Sequence, residues 1–256
     1  MKIAMLGAGA FGTALGGILA NKGYDIDYYD SKIEKERLSD VLVHAKYIVL
    51  CVPSVAVPHL LPYIPKNLPF IVATKGILVD MAFREFKDWM VLSGPGFADD
   101  IKAQKKTFLT ATDSRVVDLF NTDYIQFDFT DDRRGVLMCG ALKNVYAILA
   151  GLKGLKRETG EWREFVRKAS EEMAMILEAN GAEPETVDLV CGIGDLKLTC
   201  GLPSRNFEYG TILRNNPNYE PSNTVEGLSA IRRIARHEIM IPAKTKLLKE
   251  VIDAVK

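Results

Sequence analysis

The sequence contains little that would suit a metal centre, a disulfide-stabilised fold or a polyanion-binding surface. Only three histidines and four cysteines occur in 256 residues, and no two cysteines form a CxxC pair. Neither a metal site nor a disulfide framework is therefore predicted. The 33 basic residues balance the 33 acidic ones, which excludes a general basic field for nucleic acid or anionic membrane. Cysteines in apolar surroundings are typical of a reducing compartment, so we expect a cytoplasmic protein.

A signal-type segment and an uncharged apolar run are also lacking. The start, MKIAMLGAGAFG, becomes glycine-rich at once and shows no cleavage region, so no targeting segment is predicted. The longest apolar run, GVLMCGALKNVYAILAGL (135–152), carries Lys143 and Asn144 at its centre, which argues against a membrane span. A buried ammonium is costly unless it is paired or loses its proton. The run therefore raises the question of why a core helix contains a lysine.

Short apolar segments in the first half of the chain predict β-strands. They are KIAML (2–6), DIDYY (25–29), YIVLCV (47–52), FIVAT (70–74), WMVLS (89–93), TFLTAT (107–112) and YIQFDF (124–129). Several are continuously apolar, as in parallel strands that are covered on both faces. Segments of helical length lie between them, which predicts βαβ units and a Rossmann-like, doubly wound, mostly parallel sheet.

After about residue 130 the pattern predicts helices alone. One of them, SNTVEGLSAIRRIAR, is expected to be capped at Ser222 or Asn223, and another, IPAKTKLLKEVIDAV, to carry Pro242 near its first turn. We therefore predict an NAD-binding Rossmann domain over residues 1–130 and an all-α substrate and catalytic domain over 131–256. The functional cleft is expected between the two domains.

The stretch GAGAFG (7–12) follows a predicted strand and opens a predicted helix, which is the setting of a dinucleotide-binding loop. Gly7 permits the tight turn, Gly9 lets a pyrophosphate approach the backbone, and Gly12 lets helix and strand pack closely. Asp30 ends the second strand and is expected to bond the ribose 2′-OH, which favours NAD and leaves NADP open. The alternative for Asp30 is an ordinary helix cap before SKIEKE.

Three further polar stretches have a functional and a plain interpretation. Lys75 in TKG (74–76) is either a cation for an anionic substrate or a solvated lysine at a strand end. The turn in SGPGFA (93–98) either offers backbone N–H groups to a ligand or is only a turn. In GDLKLTCGLPSRNFEYG (194–210), Arg205 and Asn206 suit a phosphate, although a solvated loop is also adequate.

With these motifs in order, the chain resembles the NAD-dependent glycerol-3-phosphate dehydrogenases of the bacterial and archaeal type. The matching stretches are GAGAFGTAL, VLCVPS (49–54), TKG, LSGPGFA, GALKN, GDLKLTC with SRN, and VEG (225–227). Gly96 stands where the family usually has serine. Two segments are shorter than is usual in the family: Ser31–Lys46 and the segment between TKG and LSGPGFA. The chain therefore resembles a shortened member of this family.

The resemblance implies interconversion of dihydroxyacetone phosphate and sn-glycerol 3-phosphate by hydride transfer at C2, which supplies glycerol 3-phosphate for phospholipid synthesis. It implies that Lys143 is the general acid/base, Lys75 a second cation and Asp195 the residue that holds Lys143. The implied substrate-binding residues are Lys75, Gly94, Gly96, Asn144, Thr199, Ser204, Arg205 and Asn206. The implied cofactor-binding residues are Gly7, Gly9, Ala10, Phe11, Gly12, Asp30, Pro53, Lys75, Ala98, Arg205 and Glu226.

Two alternatives remain at this point. One is another reductase of the same two-domain superfamily, of the ketopantoate or β-hydroxyacid type, for which GDLKLTC and SRN would have no purpose. The other is a module that binds NAD(H) and senses redox state without catalysis, which the shortened segments favour and the retained polar residues oppose. The expected partner is a small-molecule substrate rather than nucleic acid, and the resemblance also allows a homodimer.

Overall fold

The computed structural model describes residues 1–31, 37–201 and 204–255. The chain divides into two compact units. The first comprises Met1–Thr74 and Asp80–Arg133, and the second comprises Lys75–Val79 and Arg134–Lys256. The short segment that begins at Lys75 thus belongs with the helical half of the chain, although its neighbours in sequence belong to the first unit.

The first unit is built on a seven-stranded sheet with the order β2-β1-β3-β4-β5-β6-β7. The strands are β1 Lys2–Leu6, β2 Asp25–Tyr29, β3 Tyr47–Leu50, β4 Phe70–Val72, β5 Trp89–Ser93, β6 Thr107–Ala111 and β7 Ile125–Phe129. Every neighbouring pair is parallel except β5 and β6, which are antiparallel. The predicted doubly wound, mostly parallel sheet is confirmed, and all seven predicted strands are present.

Within its described residues, the first unit contains the helices α1 Ala10–Asn21, α2 Leu38–Leu42, α3 Val57–Leu60, α4 Ala98–Lys102 and α5 Ser114–Phe120. Alternate strand residues such as Met5 and Leu92 form one buried cluster with residues of α1, α4 and α5. The burial of Leu15, Ile18 and Leu19 on one face of α1 anchors that helix to the sheet. Between β4 and β5 the only helical element is a 3₁₀ turn, Met81–Phe83, which accounts for the short sequence there.

The second unit is helical, with α6 Arg133–Lys153, α7 Gly160–Ala179, α8 Asp195–Thr199, α9 Arg205–Asn215, α10 Glu226–Ala235 and α11 Lys246–Val255. Helix α6 is long and apolar enough to cross a membrane by those two criteria alone, and 94% of its most apolar window is buried inside the structure. Helix α9 approaches it so closely that a Cβ on Gly210 would lie 2.0 Å from the Ile148 carbonyl oxygen. Helix α6 is therefore the core around which this unit packs.

Two predicted helix starts are wrong, for one physical reason. Helix α10 begins at Glu226, so neither Ser222 nor Asn223 caps it, and α11 begins at Lys246, beyond Pro242. The free N–H groups of their first turns are satisfied by side chains from other helices. The N–H of Gly227 donates to Asn206, and the N–H groups of Leu247 and Leu248 donate to Glu172. A cap supplied from a distant helix leaves no local signal in the sequence.

Candidate active site

The lysine in the core helix has a carboxylate partner. Lys143 on α6 is only 4% exposed, and its Nζ donates to Asp195 Oδ1 at 2.7 Å and to Thr199 Oγ1 at 3.1 Å. Asp195 and Thr199 are the first and last residues of α8. The Thr199 hydroxyl donates to the Asp195 backbone carbonyl at 2.6 Å, so its oxygen is oriented to accept from Lys143. One short helix thus supplies both hydrogen-bond acceptors.

A second lysine shares the same carboxylate. The Nζ of Lys75 lies 3.4 Å from Asp195 Oδ2, on the oxygen that Lys143 does not use. The side chain of Lys75 is 24% exposed, whereas those of Lys143 and Asp195 are 5% and 2% exposed. The cluster therefore combines one buried ammonium, one solvent-accessible ammonium and one buried carboxylate.

Burial controls the protonation of this cluster. It lowers the pKa of Lys143 to about 8, although the Asp195 carboxylate acts in the opposite direction and raises it. The charge of Lys75 lowers the same pKa further. Burial also raises the pKa of the nearby Cys200 thiol, so this group stays neutral. An amine with a pKa near 8 can both hold and release a proton close to neutral pH, which suits a general acid/base.

The backbone before Asp195 has an unusual local structure. Residues Val190–Gly194 form a π-helical turn that leads directly into α8. A Cβ on Gly192 in this turn would lie 2.2 Å from the Val187 carbonyl oxygen, so only glycine permits the close approach. Turns of this type are frequent at functional sites. The turn aims Asp195 into the core, and the sequence reasoning did not predict it.

Asn144 and Asn206, both expected to bind substrate, lie in a buried amide network. Asn206 Nδ2 donates to Asn144 Oδ1 at 2.8 Å, and Asn206 Oδ1 accepts from the N–H of Gly227 at 2.9 Å. Asn144 Nδ2 donates to the Gly140 carbonyl at 3.0 Å. The network ties α9 and α10 to the helix that carries Lys143. Each amide nitrogen has two N–H groups, and these bonds account for one on each residue.

Arg205 opens α9 beside this network. Ser204 caps the helix, since its Oγ accepts from the N–H of Phe207 at 3.2 Å and donates to the Thr199 carbonyl at 3.2 Å. The Arg205 side chain is exposed, and its Nη1 lies 3.5 Å from the Thr224 carbonyl. An exposed guanidinium at a helix N-terminus suits a phosphate. Glu226 opens the neighbouring helix α10.

In the first unit, the glycine loop between β1 and α1 has the shape that a dinucleotide requires. Gly7 has a φ of +113°, and a Cβ there would lie 2.6 Å from the Cys51 carbonyl oxygen. A Cβ on Gly12 would lie 2.1 Å from the Gly7 carbonyl oxygen, whereas one on Gly9 would meet no described residue within 4 Å. Gly7 and Gly12 serve internal packing, and Gly9 leaves space beside the start of α1 that no described residue fills. The loop residues therefore fit a bound pyrophosphate.

Asp30 braces this loop. Its Oδ2 accepts from the backbone N–H of Ala8 at 3.0 Å. The alternative role as a cap concerns a segment, residues 32–36, that lies outside the described residues. The aspartate therefore stands beside the glycine loop at the end of β2, where a ribose would be expected.

The other expected cofactor and substrate residues of the first unit follow β3 and β5. Pro53 follows β3, Gly94 follows β5 with a φ of +138°, and Ala98 opens α4. Because β1, β3, β4 and β5 are parallel, their carboxyl ends lie at one sheet edge. A Cβ on Gly96 would lie 3.2 Å from Leu109 Cδ2, so the serine that is usual in the family would require Leu109 to shift by a few tenths of an ångström here.

Two further polar residues of the helical unit escaped the sequence reasoning. Trp162 donates its indole N–H to the Cys200 carbonyl, and Glu172 accepts from the Tyr146 hydroxyl. Both belong to the ordinary amphipathic pattern of α7, in which a tryptophan indicates core and a glutamate indicates surface. No local signal in the sequence distinguishes them.

The sheet carries a glycine loop that fits a dinucleotide, and the helices that follow bury a lysine–carboxylate pair. Together these features define a nicotinamide-dependent dehydrogenase. The family model described as NAD-dependent glycerol-3-phosphate dehydrogenase C-terminus matches residues 132–255. A glycerol-3-phosphate dehydrogenase (NAD(P)+) of Bacillus velezensis is 31% identical over 262 residues, covering 83% of this chain and 76% of that protein. One of Leptospira biflexa is 33% identical over 260 residues, covering 82% and 78%. The chain belongs to the NAD(P)-dependent glycerol-3-phosphate dehydrogenase family.

Solved structures give the same fold. A glycerol-3-phosphate dehydrogenase from Coxiella burnetii superposes with a TM-score of 0.82 at 23% identity, covering 99% of this chain and 94% of that one. A 2-dehydropantoate 2-reductase from Geobacter metallireducens reaches a TM-score of 0.59 at 12% identity, covering 100% and 99%. At these identities the likeness concerns the fold alone.

Proposed function

We propose that this protein interconverts dihydroxyacetone phosphate and sn-glycerol 3-phosphate with NAD(H) or NADP(H), and so supplies glycerol 3-phosphate for phospholipid synthesis. The observation that carries the proposal is the buried contact between Lys143 and Asp195, with Lys75 on the second carboxylate oxygen. Burial of an ammonium is costly, and it lowers the pKa of Lys143 to about 8, which suits a proton donor near neutral pH.

Each polar group of the helical unit then has a role. Bound NAD(P)H supplies a hydride for C2 of the substrate. Lys143 delivers a proton to the C2 oxygen, Lys75 stabilises the negative charge that develops there, and Asp195 holds Lys143 in place. Arg205 and Asn206 bind the substrate phosphate, and this remote binding energy positions the reacting carbon. The remaining substrate contacts are assigned to Gly94, Gly96, Asn144, Thr199 and Ser204.

We assign the cofactor to residues 1–130 and the chemistry to residues 131–256, with Lys75 as the catalytic contribution from the first half of the chain. The open space beside Gly9 supports the first assignment. Asp30 would repel a 2′-phosphate, which favours NAD over NADP. We propose further that the protein is a homodimer in the cytoplasm. Measurement of its mass in solution tests whether it is a dimer.

The decisive experiment compares substrates. NADH oxidation is measured with dihydroxyacetone phosphate and, in parallel, with ketopantoate. We expect turnover with the phosphorylated ketone and none with ketopantoate, since GDLKLTC and SRN build a phosphate site. Turnover of ketopantoate instead would identify the reductase alternative. Tight NADH binding without turnover of either ketone would identify the non-catalytic sensor.

Substitution of two glycines, one in the loop between β1 and α1 and one within α1, tests the cofactor assignment separately. Gly9→Ala adds a methyl group where a pyrophosphate must approach the backbone, so NADH affinity is expected to fall. Gly17→Ala is the matched control, because a Cβ there also meets none of the residues that the structure describes within 4 Å. Titration of NADH by fluorescence compares the variants. Equal affinity for NADH in both variants would contradict the assignment.

A further inference from the structure

Helix α7 touches the active-site cluster through one buried hydrogen bond. Trp162, in its first turn, is 4% exposed, and its Nε1 donates to the backbone carbonyl of Cys200 at 3.0 Å. Cys200 is the C-cap residue that follows Thr199, the last residue of α8. The bond therefore ties α7 to the helix that carries Asp195 and Thr199, the two acceptors of Lys143.

This bond satisfies a group that needs a partner. The last carbonyl groups of a helix receive no hydrogen bond from within that helix, and a buried carbonyl that receives none is destabilising. Cys200 is fully buried, and α8 has only five residues, so a bond at its C-terminal end bears on the orientation of the whole helix. A small rotation of α8 would move Asp195 relative to Lys143.

Helix α7 also contacts α6, the helix that carries Lys143. Glu172, roughly 15 Å further along α7 at about 1.5 Å per residue, accepts from the Tyr146 hydroxyl at 3.1 Å. Tyr146 lies less than one helical turn after Lys143 on α6. Glu172 also accepts from the N–H groups of Leu247 and Leu248 at 2.7 and 3.0 Å, which docks α11. Helix α7 thus holds α8 near one end and α6 further along.

We propose that Trp162 is a positioning residue, whose indole N–H fixes the place at which α8 presents Asp195 and Thr199 to Lys143. The inference rests on the proposed function, because it concerns the proton donor of that reaction. Trp162 touches neither Lys143 nor Asp195 by any hydrogen bond in the part of the chain that the structure describes, and it acts through the backbone of Cys200.

The consequence is a measurable change in proton transfer. The titratable and charged groups that act on Lys143 are Asp195 and Cys200, on and just after α8, and Lys75 from the segment Lys75–Val79. Of these, Asp195 is the main group that raises the pKa of Lys143 against the effect of burial. If α8 loosens, this support weakens and the pKa of Lys143 falls below its value of about 8. Reduction of the ketone needs protonated Lys143, so activity should then be lost at a lower pH.

The test is Trp162→Phe, which keeps a buried ring and removes the N–H donor. The matched control is Phe165→Leu, a substitution on the same helix at a residue that is 5% exposed. For both, kcat and KM for dihydroxyacetone phosphate are measured between about pH 6 and about pH 10, together with the melting temperature. We expect Trp162→Phe to lower kcat about 10-fold near neutral pH and to move the alkaline limb to lower pH, with KM changed less than about twofold.

The control should lower the melting temperature and leave the midpoint of the alkaline limb unchanged. Equal shifts of the limb in both variants, or none in Trp162→Phe, would overturn the inference. If Trp162→Phe does not fold, benzothienylalanine at position 162 replaces the ring N–H with sulfur at nearly constant shape and answers the same question. Wild-type protein without turnover of dihydroxyacetone phosphate would instead refute the proposed function, so the two failures are distinguishable.

Discussion

Two clusters of acidic and basic side chains in this molecule differ in their access to water. In the first unit, Arg115 makes two parallel bonds to Asp88 at 2.6 and 2.7 Å and further bonds to Asp113 at 2.7 and 2.8 Å. Its side chain is 38% exposed. In the second unit, Lys143 lies 2.7 Å from Asp195, and both side chains are at most 5% exposed. The distances are nearly equal, so bond length does not distinguish the clusters. They differ in solvation and in the additional charge, which is a second carboxylate beside Arg115 and a second lysine, Lys75, beside Asp195.

Solvation decides which effect dominates the protonation of each cluster. Beside Arg115, the hydrogen bonds from the guanidinium hold the pKa of Asp113 below its ordinary value, and the pKa of Arg115 is raised. Each charge there stabilises the other. Beside Asp195, burial outweighs the attraction, and the pKa of Lys143 is lowered to about 8. An equally short ion pair therefore stabilises charge at the surface and prepares proton transfer in the core.

The largest expected effect comes from removing the buried ammonium. Lys143→Ala should reduce kcat for dihydroxyacetone phosphate about 10²–10⁴-fold, because the reaction loses its general acid. NADH affinity should change little, since the glycine loop belongs to the first unit. Steady-state kinetics and NADH titration measure the two quantities. A variant with nearly normal kcat would show that the buried pair is structural, and the comparison between the clusters would lose its functional meaning.

A smaller effect is expected when the carboxylate is neutralised and its shape is kept. In Asp195→Asn, the group that raises the pKa of Lys143 is lost while burial remains, so this pKa should fall below about 8. At neutral pH less Lys143 is then protonated, and kcat for ketone reduction should fall between about 10-fold and about 10³-fold. The alkaline limb of kcat should move to lower pH.

Asp88→Asn in the exposed cluster is the control for Asp195→Asn. It removes a carboxylate that is 33% exposed in its side chain and bonded to Arg115, so both kcat and the alkaline limb should stay at their wild-type values. An upward shift of the limb in Asp195→Asn would contradict the sign of the electrostatic argument. It would mean that water enters the cluster once the carboxylate is gone.

Much of the fold follows from local sequence signals. Short apolar segments between turn residues predict the seven strands, and a 3.6-residue period predicts α1 and α7, because burial on one face produces a periodic pattern. The starts of α10 and α11 could not be predicted in the same way. Their first N–H groups are bonded by Asn206 and Glu172 from other helices, and such bonds depend on packing that no short segment specifies.

The candidate site shows the same division. A charged residue in an apolar helix marks Lys143 on physical grounds alone, because burial of an ammonium needs a reason. Its pairing with Asp195 was expected only through the resemblance, since the two residues meet by packing of α8 against α6. The π-helical turn before Asp195 and the bond from Trp162 gave no signal. A functional residue whose type is unusual for its surroundings could be predicted from the sequence. Contacts that depend on how the helices pack could not.

The smallest expected effect lies in the exposed cluster. Arg115→Gln should lower the free energy of unfolding by no more than about 1 kcal/mol, because water screens charges at this degree of exposure and the ordering of long side chains opposes the gain. Denaturant unfolding measures the difference at about 0.05 M and about 0.5 M sodium chloride, and the difference should shrink at the higher salt concentration. The kcat of Arg115→Gln should match that of the wild type at both salt concentrations. A loss well above about 1 kcal/mol that does not respond to salt would show that this cluster is shielded from solvent like the Lys143 pair. Exposure would then not explain why the pKa of Arg115 is raised while that of Lys143 is lowered.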